Sequence, residues 1–258
     1  MATIHPTALV DPGAELADDV QVGAYSVIEA GVRVGAGTVI GHHVVLTGDT
    51  TIGRGNRIYH HCSLGEAPQD KKYGGERTRL VIGDHNLVRE FCSFNRGTAQ
   101  DRGVTRIGDH NWVMAYVHVA HDCVVGDHTV LANCTQLAGH VVIGDHATLG
   151  GFTGVHQFCR IGAHVMAGVG SVVLQDVPPF VTIAGNAARP YGVNSEGLRR
   201  RGFSRESVAA VKRAFRTLYR SGLQLEQARA AIEAESRAHP ELRALAEFLG
   251  QAGRGIVR

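Results

Sequence analysis

Counting eighteen residues on from His121 gives Gly139, beside His140, and eighteen more gives Gln157, beside His156. A histidine that titrates near neutrality can take the proton of a hydroxyl while that oxygen attacks a carbonyl, and a glycine leaves its backbone N–H bare for the oxyanion that forms. His121 with Gly139 therefore has the parts for acyl transfer. Asp122, next in the chain, can orient or charge-stabilise the imidazole, although a water or another side chain can do the same. The bland alternative is a histidine cluster on a surface. The choice depends on whether the chain stacks residues that are eighteen apart.

A six-residue repeat does this. Ile107, Val113, Val119, Val125, Leu131, Leu137, Ile143, Leu149, Val155, Ile161, Ala167 and Val173 are aliphatic at every sixth place, a period that neither a helix nor an ordinary strand predicts. Hexads of this kind build a parallel β-helix whose turns bury one aliphatic column. The strings Ile107-Gly108-Asp109-His110, Val125-Gly126-Asp127-His128, Ile143-Gly144-Asp145-His146 and Ile161-Gly162-Ala163-His164 recur at eighteen residues, so three hexads complete one triangular coil. Residues eighteen apart then stack at about 4.8 Å. His121, Gly139 with His140, and His156 with Gln157 share one outer corner. His121 also breaks its own column, because the same place one coil either side is not histidine.

The repeat begins at Ile4 and continues through Val10, Leu16 and onward to Leu64. Gly23, Gly35, Gly41, Gly53 and Gly65 follow the aliphatic residue, where corners with unusual backbone angles are expected. Two stretches break the register and are expected to be expelled as loops: 65–81, with Pro68, the Gly74-Gly75 pair and several charges, and about 97–106, which shifts the frame by one. Loops on a rigid scaffold commonly carry ligand contacts, although a tolerated insertion explains them equally well. After Val173, Pro178-Pro179 and the segment Ala184 to Pro190 end the coil. Ser204 can cap a helix carrying Val208, Val211, Phe215, Leu218 and Tyr219 inward, stopped by Gly222. A second helix is expected from Leu225 to about Arg237, a third after Pro240, and a short one around Glu196 to Arg201. The chain thus divides into a β-helix over 1–190 and a small helical domain over 191–258, which also closes the solenoid's exposed end.

Net charge is only +2, but residues 191–258 carry 13 Lys or Arg against 7 Asp or Glu, so an anionic partner can dock on the tail. The five cysteines lack a C-x-x-C pair, which argues against a disulfide framework and a zinc knuckle and for a reducing compartment. Cys62, Cys92, Cys123 and Cys159 stand where other hexads hold small residues and are expected to pack. The N-terminus lacks a signal-peptide pattern and no run of about 18 apolar residues occurs. A soluble, cytoplasmic protein without membrane insertion or nucleic-acid binding is expected. His110, His128, His146 and His164 form a regular turn column, expected to be solvated.

The segments His118-Val119-Ala120-His121-Asp122-Cys123, Ala138-Gly139-His140, Val155-His156-Gln157-Phe158-Cys159 and Gly192-Val193-Asn194-Ser195-Glu196-Gly197-Leu198-Arg199-Arg200-Arg201-Gly202-Phe203-Ser204 resemble the UDP-N-acetylglucosamine O-acyltransferases. The resemblance covers essentially the whole chain, including the Gln69-Asp70-Lys71-Lys72-Tyr73 loop. It implies a left-handed coil, an exception to the usual crossover hand, and a homotrimer with active sites between subunits. It implies transfer of a (R)-3-hydroxyacyl group from acyl carrier protein to the glucosamine 3-hydroxyl of UDP-N-acetylglucosamine, the first step of lipid A biosynthesis, with no metal or nucleotide cofactor. By position, His121 is then the general base, Asp122 its partner and Gly139 the oxyanion donor. His118, His140, His156 and Gln157 line the sugar and acyl groove. Asp70 and Lys72, favoured over Lys71, hold sugar and phosphate, and Asn194, Glu196 and Arg200 contact nucleotide or phosphate. The basic tail suits the acidic carrier. Val169, where long-chain members carry glycine, is expected to shorten the accepted chain.

The nearest rival is the sibling N-acyltransferase of the same pathway, acting on a 3-amino or later sugar, which carries a sizeable domain ahead of its repeats. A zinc carbonic anhydrase built on the same solenoid needs an H-x-x-x-x-H element, and no two histidines here are five apart. A non-catalytic binding solenoid would show uniform exterior ladders, unlike the corner at His121.

Overall fold

The computed structural model describes residues 1–251 and 255–258. Each hexad yields a short strand and a turn, and the strands stack into three sheets of eleven, nine and eight strands among the described residues, parallel except for the last strand of the largest. The register repeats at eighteen: Trp112 pairs with Val130, and Val130 with Thr148. The aliphatic column from Ile107 to Val173 is buried throughout. In the first coil, which has no neighbour beneath it, Ile4 is exposed and Val10 and Leu16 are only half-buried.

Both expelled loops are present, with tighter bounds than the sequence suggests. Ile52 pairs with Ile82 and Ile82 with Ile107, offsets of thirty and twenty-five, so the loops insert twelve and seven residues into their coils. The strands Ser63–Glu66, Arg79–Ile82 and Val104–Ile107 are longer than a normal hexad strand, leaving excursions over 67–78 and 96–103. Arg79 and Leu80 pair with Val104 and Thr105, because continued pairing satisfies backbone groups that a loop ending later would strand.

Of the five corner glycines, Gly65 has the unusual angle expected, at φ +93°, and the other four do not. Gly23, Gly35 and Gly53 have ordinary backbone angles, but a Cβ at Gly23 would lie 2.5 Å from the Gly41 carbonyl oxygen and one at Gly53 2.7 Å from that of Gly83. They permit close approach between coils. The left-handed angles fall instead on the second turn residue, usually His, Tyr or Phe, as at His43, Phe91, Tyr116 and His128. Their rings stack from coil to coil: His110, His128, His146 and His164 follow one another at 4.8 to 5.0 Å. His164 departs from the solvated role expected of this column. It lies between His146 and Phe180 with the edge of Phe203 against it, and burial pulls its pKa down to about 4.

The end of the solenoid is covered by strand Val181–Ala184, which pairs with Met166–Ala167 and antiparallel with Arg189–Val193. Among the described residues four α-helices follow: α1 (Ser195–Arg200), α2 (Arg205–Arg220), α3 (Leu225–Ser236) and α4 (Arg243–Gly250). Ser204 caps α2 through the Ser207 N–H, and Gly222 follows its end at φ +75°. Val208, Val211, Leu218, Leu242, Leu245, Phe248 and Leu249 form their own core with Phe180, while Phe215 and Val257 join the solenoid's.

Candidate active site

Asp122 is the second residue of its turn, at φ 59°, a conformation that aspartate tolerates better than most residues. This turns its carboxylate inward, where it is wholly buried. Thr98 donates its backbone N–H to both carboxylate oxygens, at 3.1 and 3.0 Å, and its hydroxyl to Oδ2 at 2.6 Å. His121 Nδ1 lies 3.0 Å from the same Oδ2. A carboxylate only accepts, so Nδ1 carries the shared proton and Nε2 of the neutral ring keeps its lone pair. Gly139 lies directly against that edge: a Cβ there would be 2.7 Å from Nε2. Among the described residues no acceptor takes the Gly139 N–H. A base with a free lone pair and an unengaged donor thus adjoin each other.

They face an open cleft of about 850 Å³. Gln69, Asp70, Lys71 and Lys72 reach it from the first loop, Gln100 and Asp101 from the second, and His121, His140, Gln157 and Phe158 from the coil. Both Lys72 and its neighbour Lys71 line it. The first loop is tied down by Arg96, which donates to the Gly65 carbonyl at 2.7 Å and to the Tyr73 hydroxyl at 3.1 Å. His118 pairs its Nδ1 with Ser93 Oγ at 2.8 Å, and burial lowers its pKa. His140 stands edge-on to His121 at 4.9 Å and stacks on Phe158 at 4.3 Å.

The C-terminal 176–257 match the family model for UDP-N-acetylglucosamine O-acyltransferase, domain 2, and 105–139 match that for bacterial transferase hexapeptide repeats. The chain is 64% identical over its full length, and the relative's, to the acyl-[acyl-carrier-protein]–UDP-N-acetylglucosamine O-acyltransferase of Thiobacillus denitrificans. The chain belongs to the UDP-N-acetylglucosamine O-acyltransferase family. The Halorhodospira halophila enzyme of the same name is 56% identical, again over 100% of both chains. The solved LpxA structure from Acinetobacter baumannii, 48% identical, superimposes with a TM-score of 0.96 over 99% of each chain. The left-handed β-helix with a helical C-terminus goes with that membership.

Other residues expected to serve an O-acyltransferase site are not at this cleft. Asn194 caps α1 by accepting the Gly197 N–H at 3.1 Å and donates Nδ2 to the His164 carbonyl at 3.0 Å. Glu196 pairs with Arg199 and Arg200 on the helix surface. Asn194 thus sits at the His164 corner, a different edge of the triangle from His121, and Glu196 and Arg200 belong to the helix it caps. His156 is exposed beside Gln157, its Nδ1 3.1 Å from the Gln157 carbonyl. Val169 is 77% exposed, one coil beyond Gly151 at the third corner, where Gly170 donates to the Gly151 carbonyl. Ser93, Thr98, Gln100, Asp101 and Phe158 escape a reading of the sequence. The loop assignment could have flagged Thr98, Gln100 and Asp101, but nothing local marks Ser93.

Ligand atoms of His121, Asp122 and His140 lie within 4.8 Å of one another, close enough for a metal ion. The donor set does not suit one. Asp122 Oδ2 already accepts from the Thr98 hydroxyl and from His121, and His140 Nδ1 faces Asp101 at 2.7 Å. The cluster is two carboxylate–imidazole pairs, His121 with Asp122 and His140 with Asp101.

Proposed function

We infer that the chain is the acyltransferase that moves a (R)-3-hydroxyacyl group from acyl carrier protein to the 3-hydroxyl of UDP-N-acetylglucosamine, the first step of lipid A biosynthesis. The observation that carries the residue roles is the buried Asp122 holding His121 against Gly139 at an open cleft. His121 Nε2 takes the proton of the sugar hydroxyl as its oxygen attacks the thioester carbonyl. The Gly139 N–H receives the oxyanion, and Asp122 stabilises the imidazolium. Collapse of the tetrahedral intermediate breaks the carbon–sulfur bond, and the departing thiolate recovers the proton from His121. No step calls for a metal or a nucleotide cofactor.

Asp70, Lys71 or Lys72, His140 and Gln157 hold the sugar and phosphate in the cleft they line. A homotrimer with sites between subunits accounts for the tail residues: Asn194, Glu196 and Arg200 of one subunit would complete the cleft of the next. His118 and His156 flank the acyl path, and Val169 limits its length. The reaction belongs in the cytoplasm, where the carrier protein is found. No helix among the described residues is long and apolar enough to cross a membrane.

The test is transfer from a series of (R)-3-hydroxyacyl carrier proteins to UDP-N-acetylglucosamine by wild type and His121→Ala. Transfer by the wild type and its loss in a folded variant is expected. A variant as active as the wild type would remove His121 from its role. Wild-type protein that ignores this sugar but acylates the 3-amino analogue would change the acceptor.

A further inference from the structure

Asp101 belongs to the second loop, and no periodicity ties it to the coil, yet its Oδ2 sits 2.7 Å from His140 Nδ1. The other sides of His140 are fixed by ring contacts, face to face with Phe158 at an interplanar angle of 8° and edge-on to His121 at 88°. The loop is anchored at two points just ahead of this contact. Thr98 grips Asp122 through its N–H and hydroxyl, and Gln100 Nε2 reaches the Lys72 carbonyl at 3.5 Å. Two carboxylate–histidine pairs therefore stand side by side, one built into the coil and the other closed by a loop. His121 and His140 are perpendicular members of one constellation.

We propose that Asp101 is a positioning residue that fixes the tautomer of His140. A carboxylate cannot donate, so the proton between Asp101 and the neutral ring of His140 sits on Nδ1. Nε2, across the ring, is left as a hydrogen-bond acceptor for the cleft that His140 lines. It takes a hydrogen bond from a hydroxyl of the sugar acceptor and so holds the sugar beside His121. The inference deepens the function proposed above and rests on it. Asp101 acts through His140, as a carboxylate that orients an imidazole does at many sites.

Three variants of the full chain test this: Asp101→Asn, Asp101→Glu, and Asp101→Asn combined with His140→Ala. An amide can donate to Nδ1 and so move the ring proton to Nε2. Asp101→Asn is expected to raise KM for UDP-N-acetylglucosamine about tenfold with a smaller change in kcat. Asp101→Glu should recover most of the loss. Against a His140→Ala background, Asp101→Asn should add nothing, since the two residues act as one unit. In histidine-labelled protein the ring-nitrogen resonances of His140, assigned by their absence in His140→Ala, should switch from Nδ1-protonated to Nε2-protonated. An unchanged ring signature, or a KM effect that persists without His140, would overturn the proposal. A wild type inactive toward this sugar would sink the functional reading instead, and the ring signature would still decide the link between Asp101 and His140.

Discussion

The imidazole of His121 fills the space that a side chain at position 139 would need: a Cβ built on Gly139 lies 2.5 Å from Cε1 and 2.7 Å from Nε2. Position 139 has no left-handed backbone angle to justify glycine. The residue is small because the His121 ring leans on it.

Gly139→Ala should therefore displace the ring of His121 toward the cleft and break its bond to Asp122. We expect kcat to fall by about 10²-fold or more, with a melting temperature close to wild type because the ring has open space to swing into. Steady-state kinetics with a thermal melt check this. An alanine variant with normal kcat would mean that the ring position is not required.

Thr98→Val removes the hydroxyl that donates to Asp122 at 2.6 Å but leaves the backbone N–H in place. Asp122 is wholly buried, so the lost charge-assisted bond should cost about 1.5–3 kcal/mol of stability and lower kcat as His121 loses its orientation. Thr98→Ser keeps the hydroxyl and should behave as wild type in denaturant titration and in activity. Equal damage from both variants would count against the hydroxyl.

His164 makes stability depend on pH. Its pKa is depressed to about 4 in the folded chain, first by burial and then by His146 and Arg201 nearby, against about 6.5 unfolded. The unfolded chain therefore binds more protons between these values, and stability falls as pH drops from about 6.5 to about 4. His164→Phe should flatten that fall. Phenylalanine already occupies the equivalent left-handed position at Phe91, Phe152, Phe158 and Phe180, and it would eliminate the buried Nδ1 that lacks a partner. Melting curves at pH 5 and pH 8 should show the variant gaining at pH 5, and an equal gain at both would point to packing alone.

Val169→Gly should move donor preference toward longer chains. An exposed valine beside the acyl path of the proposed reaction would fill the space of a few methylenes, and the wild type is expected to favour donors of about ten to twelve carbons. Competition between donors of different length reads the shift directly. An unchanged ranking would leave Val169 as a packing residue between subunits.

The hexad pattern alone determined the solenoid and the stacking of His121 on Gly139, because burying one aliphatic residue in six is a local requirement that repeats without regard to the rest of the chain. Residues eighteen apart could be placed by counting, and the helices after Ser204 followed from their own caps and apolar spacing. The handedness and the sugar substrate were legible only through the resemblance, since no period encodes them. Thr98 and Asp101 were beyond counting altogether. They lie past the loop that inserts twelve residues and within the one that inserts seven, where position depends on the path of the chain. The tertiary structure alone could fold that path back so that Thr98 meets Asp122 and Asp101 meets His140. It also decided that His164, an ordinary member of its repeat, is covered, because Phe180 and Phe203 arrive from the region that ends the coil.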